Sequence, residues 1–274
     1  MSLPITITHI NKIKVERMEK KDGWAISEFR LPITGNDGSS TAVFHSIFRP
    51  GSTHAKHLHK SCDEIAIYLK GHGIVGQSDS RAEVTNGHCR LMPKGTEHFF
   101  YNETEEEDAE VIGFYVGAKS VPGTGYQFCG HADTKDLAMP RRGLNEGILV
   151  RVEECNKTIE ANNIYIKADL RIPIGTHNGS ENALLFASFK PGGELAPNRS
   201  DNCEQIYYVA SGNGIAGSGN YQLPVSKGSF VFIPRSTSHW LKNASSSNEL
   251  EIYNVLTGAG SLAEANYMPL DMTQ

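Results

Sequence analysis

No stretch of this chain stays apolar for the roughly 20 residues that a bilayer-spanning helix needs. The first residues, Met1-Ser2-Leu3-Pro4-Ile5-Thr6-Ile7-Thr8, have neither a charged n-region nor an apolar h-region. They predict no export signal and a cytoplasmic protein. Positive charge is not in surplus: 26 Lys and Arg stand against 31 Asp and Glu, a net charge of −5. That balance argues against nucleic acid or an anionic membrane surface as a partner. Cysteine is scarce and odd in number, with Cys62, Cys89, Cys129, Cys155 and Cys203 at scattered spacing. The count argues against a disulfide framework and predicts free thiols in a reducing compartment.

What is present is a globular composition, 39% apolar and 21% charged, on a chain long enough for two ordinary domains. The most informative pattern is an internal repeat at an offset of 141 residues. Arg30, Pro32 and Ile33 meet Arg171, Pro173 and Ile174. Phe48, Pro50 and Gly51 meet Phe189, Pro191 and Gly192. Further on, Cys62 meets Cys203, Gly71 and Gly73 meet Gly212 and Gly214, Pro93 meets Pro234, His98 meets His239, and Asn102 meets Asn243. A gapless register of about a hundred residues marks a tandem duplication. We therefore expect two domains, residues 1–140 and 141–274.

Within each half, short runs rich in β-branched and aromatic residues alternate with Gly, Pro, Asn and Asp clusters, the pattern of strands and turns. Ala42 to Arg49, Glu64 to Leu69, Cys89 to Met92, His98 to Tyr101 and Glu110 to Val116 read as strands. The joining segment, near Ser120 to Glu146, reads as polar and Gly-rich, with a short helix within His131 to Met139.

His57, His59, Glu64 and His98 form a ligand-type set. Two histidines two apart on a strand point to one face. Glu64 opens the next apolar run, and His98 follows Pro93 and Gly95 in a later hairpin. Three imidazoles and one carboxylate suit one divalent transition metal, leaving it a net charge of +1 and open positions for water, dioxygen or an oxygen-bearing substrate. The repeat acts as an internal control. At the equivalent positions of the second half stand Asn198, Ser200, Gln205 and His239, so three of the four ligands are replaced by weak neutral donors. The second half is expected to hold no metal.

These residues carry a family resemblance. Gly51, His57, His59, Glu64 and Gly71, spaced G-x5-H-x-H-x4-E-x6-G, resemble the first motif of the cupin superfamily. Gly87, Pro93, Gly95, His98 and Asn102, spaced G-x5-P-x-G-x2-H-x3-N, resemble the second. The resemblance implies a small antiparallel β-barrel with one metal inside its mouth. With the duplication it implies a bicupin of germin or oxalate-decarboxylase-like architecture: all-β, two tandem antiparallel jelly-roll-like barrels, a few short helices, and a tail near Leu3 to Lys12 that adds an edge strand to the other half. The metal motif is intact only in the first half. Mn or Fe is favoured, with Ni or Zn as alternatives.

The resemblance does not fix a reaction, because one fold hosts many chemistries. The first reading is an enzyme acting on a small oxygen-rich metabolite, as a dioxygenase or as a metal-assisted isomerase or decarboxylase. The alternative is a non-catalytic binding bicupin of sensor or storage type. In oxalate-decarboxylase-like cupins an arginine stands three residues before the first ligand histidine; here that place is His54. Histidine can act as an acid or base near neutral pH, so His54 is a catalytic candidate, against the plainer reading of an exposed loop histidine. Tyr68 shares the strand parity of Glu64 and is the second candidate; Phe100, in parity with His98, is expected as apolar wall. Arg49, Lys56 and Arg90 read as surface charges. A homodimer is expected, since exposed strand edges invite pairing.

Overall fold

The computed structural model describes residues 5–16, 26–159 and 163–270. Of the expected amino-terminal strand, Leu3 and Pro4 lie outside the described residues. The chain divides into two compact units. One comprises Ile13–Asn36 and Ser40–Arg151; the other comprises Met1–Lys12, Asp37–Ser39 and Val152–Gln274. Each is built on β-strands, and every registered strand pair among the described residues is antiparallel. The architecture is the expected pair of tandem antiparallel barrels, with two short α-helices among the described residues, Thr134–Ala138 and Leu262–Ala265.

The first barrel has two sheets. In the six-stranded sheet the neighbours run Ile148–Arg151, His88–Met92, Asp63–Lys70, Ala109–Val116, Ala42–Phe48 and Glu28–Ile33. In the five-stranded sheet they run Tyr126–Gly130, Thr53–His59, His98–Asn102, His72–Gly76 and Arg81–Thr85. The central strand Asp63–Lys70 is buried on both faces, which is why Ile65, Ala66, Ile67 and Tyr68 read as a continuous apolar run rather than an alternating one. The inner core includes Phe44, Phe48, Ala66, Tyr68, Met92, Phe100, Val111 and Tyr115.

In the second unit one sheet of eleven strands carries the repeat: strands Ala183–Arg199, Glu204–Ser211, Ser229–Ile233, His239–Asn243 and Leu250–Thr257. Each begins 141 residues after a strand of the first barrel. Ala183–Arg199 turns the barrel corner as one strand, whereas its counterpart is broken between Phe48 and Thr53. Both corners carry a glycine in the left-handed region, Gly51 at φ 69° and Gly192 at φ 72°, where any side chain would be strained. The conformation, not a ligand, accounts for that repeated glycine.

The ends of the halves exchange strands. Thr6–His9 pairs with Ser229–Ile233 in the second unit, as the sequence suggested. Ile148–Arg151, which follows residue 140, pairs with His88–Met92 in the first. The joining segment contains the expected short helix, capped by the Asp133 side chain and Asp136. Arg81, fully buried, anchors that helix through Asp136 while its guanidinium lies 4.8 Å from the centre of the Phe99 ring.

Candidate metal centre

His57, His59, Glu64 and His98 converge in the first barrel. One potential ligand atom from each lies within 4.8 Å of the others, and all four side chains are buried. Three strands supply them: Thr53–His59, Asp63–Lys70 and His98–Asn102. His57 and His98 are opposite each other in register, which brings their rings to 4.3 Å between centres.

The hydrogen bonds set the imidazole tautomers. His57 Nδ1 lies 2.7 Å from the Ala55 carbonyl and His98 Nδ1 lies 2.9 Å from the Thr96 carbonyl. A carbonyl only accepts, so both Nδ1 atoms carry the proton and both Nε2 atoms offer a lone pair. Those two Nε2 atoms are buried with no protein partner. Orphaned buried acceptors are rare and need an explanation. Beside them Glu64 Oε2 lies 3.1 Å from His59 Nε2 and 3.6 Å from His98 Nε2. Aimed lone pairs and one carboxylate form a donor set that fits a divalent transition metal.

Burial drives the His57 and His98 pKa values below the ordinary imidazole range, and neighbouring imidazoles push His57 further the same way. Both are neutral at physiological pH, the form a metal needs. Burial alone would raise the Glu64 carboxyl. Arg90 and His98 beside it, with the hydrogen bond from His59, outweigh that and hold it well below the usual carboxylate range.

A narrow cavity adjoins the cluster, with about 20 Å³ of room for the centres of water-sized atoms. His54, His57, Glu64, Tyr68, Arg90 and His98 line it, with Phe44, Phe48, Phe100 and Val111 as apolar wall. Tyr68 and Phe100 therefore face the site as their parity suggested. His54 has the wrong parity for His57 on a regular strand, yet it faces the same cavity. A β-bulge between the two resets the alternation, and the rings stack at 3.9 Å between centres. His54 is a strand residue, not an exposed loop histidine. Burial lowers its pKa to about 3 and pushes Tyr68 up to about 12, so His54 is neutral and Tyr68 keeps its proton. Tyr126 stacks beside both, 5.2 Å from the His57 ring and 6.4 Å from the His54 ring.

One expectation is corrected. Arg90 is not a surface charge. It is 3% exposed and its guanidinium pairs with Glu64 Oε1. Of the other two, Arg49 is exposed, and Lys56 pairs at 3.0 Å with Asp136. A second acidic group, His72, Glu83 and Glu103, is partly exposed, and Arg141 bridges both glutamates.

The second barrel keeps the frame and fills the site. His239 Nδ1–H donates to the Thr237 carbonyl at 3.1 Å, as His98 does to Thr96. Asn198 Nδ2 donates to the Ala196 carbonyl at 2.8 Å, in the manner of His57. The Tyr207 hydroxyl lies 2.7 Å from His239 Nε2, so that lone pair is taken. Tyr267 and Asn254 donate to Gln205 Oε1 at 2.9 and 3.1 Å. Tyr207 stands where the first barrel has Ala66.

A family model described as a cupin domain matches residues 44–115 and again 185–256. Oxalate oxidase GF-2.8 of Triticum aestivum is 36% identical over 75 residues, 24% of this chain and 34% of that protein. Oxalate oxidase 2 of Hordeum vulgare shows the same identity and coverage. The match thus spans about a third of the length of these curated relatives. Among solved structures, an arginine-to-alanine variant of oxalate decarboxylase from Bacillus subtilis superposes with a TM-score of 0.74 at 14% identity, over 96% of this chain and 79% of that one. A study of the Mn(II) centres of the same decarboxylase gives a TM-score of 0.72 at 16% identity, over 96% and 79%. At such identities the likeness concerns the fold. Matched by the family model in both halves, over more than half its length, the chain belongs to the cupin family as a bicupin.

Proposed function

We propose that this bicupin is a metal-dependent enzyme acting on a small organic acid, with His57, His59, Glu64 and His98 holding one divalent metal in the first barrel. The observation that carries the reading is the pair of buried, unpartnered Nε2 atoms of His57 and His98, in a group with the Glu64 carboxylate and His59. The Mn(II) centres of the Bacillus subtilis decarboxylase support Mn first, with Fe next. When bound, such an ion supplies Lewis-acid polarisation of an oxygen-bearing substrate, or a place for dioxygen to react.

The chain's own residues set what enters and how it sits. The cavity has room for the centre of little more than one water-sized atom, which selects for the smallest acids, and Phe44, Phe48 and Phe100 form its apolar side. Tyr68, which keeps its proton, is a hydrogen-bond donor. His54, neutral with a pKa near 3, is a weak base; it accepts a hydrogen bond and positions substrate or water. Oxidation and decarboxylation of the acid are the reactions this site suits. The second barrel, its ligand position filled by Tyr207, serves as structure.

The test is turnover of oxalate and related small acids by the Mn(II)-loaded chain, following oxygen uptake and carbon dioxide release together. Turnover that disappears in Glu64→Ala and persists in Gln205→Ala supports the reading. A loaded chain that turns over none of them counts for a non-catalytic binding bicupin.

A further inference from the structure

We infer that Arg90 is an anion-binding residue of the first barrel, taking one carboxylate of an acid in the cavity on the guanidinium Nε–H that Glu64 leaves free. The inference rests on the small-acid reading for the kind of ligand, but its observations are separate from the ligand cluster.

The first observation is an orphaned donor. Arg90 uses one Nη on Glu64 Oε1, while its Nε is buried without a hydrogen-bond partner. An arginine has five donors in a planar fork, matched to the two oxygens of a carboxylate. An Nε–H left bare at 3% exposure costs stability unless something accepts from it.

The second is placement. Arg90 lines the same cavity as His54, His57, Tyr68 and His98, so an anion there meets the guanidinium and the ligand cluster together.

The third is the comparison between barrels. In register Arg90 lies opposite Ala66. The equivalent pair in the second barrel is Val231 opposite Tyr207. The first barrel thus combines a small residue with a charge, and the second a large residue with an apolar one. The barrel with the intact ligand set leaves room and places a cation beside it. Its twin, which has lost three of the four ligands, fills the room and drops the cation.

Charge counting agrees. Glu64 balances Arg90, and neutral imidazoles add nothing. A divalent cation therefore leaves a buried excess of positive charge, and buried charge requires a partner. A carboxylate, and more fully a dicarboxylate, supplies it.

The experiment compares acids with their neutral amides. Oxalate and oxamide, then acetate and acetamide, are titrated calorimetrically into the full-length chain, with and without Mn(II), and bound metal is measured on the same samples. Wild type is expected to prefer each acid over its amide by at least about tenfold, the scale of a charge-assisted hydrogen bond. Arg90→Met is expected to keep its metal and lose that preference; Arg90→Lys, which keeps charge but not the fork, is expected to fall between. Should Arg90→Met fail to fold, the Arg90 Nε–H resonance of wild type, followed by nitrogen-15 NMR, is expected to shift when oxalate is added.

Metal retained with the acid preference intact in Arg90→Met overturns the inference and leaves the metal reading standing. So does a folded Arg90→Met that loses its metal while the wild-type Nε–H resonance ignores oxalate: Arg90 then only holds Glu64. Conversely, a wild type without metal whose acid preference still depends on Arg90 supports the inference and sinks the metal reading. Binding of neither metal nor acid overturns both.

Discussion

The hydroxyl of Tyr207 sits 2.7 Å from Nε2 of His239, on the lone pair that His98, the equivalent histidine of the first barrel, leaves without a protein partner. The two barrels share strand frame, imidazole tautomer and carbonyl anchor. They differ in what the histidine faces: a phenol in one, a cluster of potential ligands in the other.

Transplanting that difference should close the first site. The double variant Ala66→Tyr with Arg90→Val copies the second barrel's pair and roughly conserves volume, which cores tolerate best. We expect a folded protein whose metal content falls to near zero by elemental analysis. A variant that folds and still carries wild-type metal would show that Tyr207 does not explain the closed site.

Removing the phenol's oxygen should cost stability. Tyr207→Phe leaves His239 Nε2 dependent on Gln205 Nε2, now 3.3 Å away. An imperfectly satisfied buried acceptor costs about 1–3 kcal/mol, read as a lower urea midpoint. An unchanged midpoint would mean that the hydroxyl adds nothing to the core.

Acid should destabilise the protein partly through His239. Burial lowers its pKa from 6.5 to about 4. Between those values the unfolded chain takes up a proton that the folded one refuses. The contribution is therefore complete above pH 6.5 and is lost as pH falls towards 4, by at most about 3 kcal/mol. Melting temperatures at pH 7 and pH 4.5 should converge less in wild type than in His239→Gln, where this proton is absent. Equal acid losses in the two proteins would contradict the assignment.

The cavity wall offers a steric test. A Cβ on Gly113 would overlap the ring of Phe44, which lines the cavity. Gly113→Ala should cost about 1–3 kcal/mol through overpacking and weaken acid binding as Phe44 is displaced, measured by urea unfolding and calorimetry. A fully wild-type response in both would show that the wall yields freely.

Much of this was legible in the residues. The 141-residue register located matching strands in both halves because barrel positions repeat even where ligands do not. The candidate ligand cluster was legible because period-two geometry ties His57 to His59. Arg90 was misread since a charged residue in a short strand ordinarily faces water. Its strand is buried on the inner face too, and the signal was available in its twin, Val231. The Ala66 to Tyr207 exchange lay in the same comparison. His54 was singled out from its place three residues before His57, but its face was not legible, because a bulge reverses it and nothing in Thr53-His54-Ala55-Lys56-His57 announces one.

The account's central claim is that one barrel holds metal and the other does not. Metal per chain, measured by elemental analysis on wild type, Glu64→Ala and Gln205→Ala after Mn(II) loading and desalting, tests it most directly. We predict one ion in wild type, one in Gln205→Ala and close to none in Glu64→Ala. Two ions in wild type, or one that survives Glu64→Ala and disappears in Gln205→Ala, would contradict it.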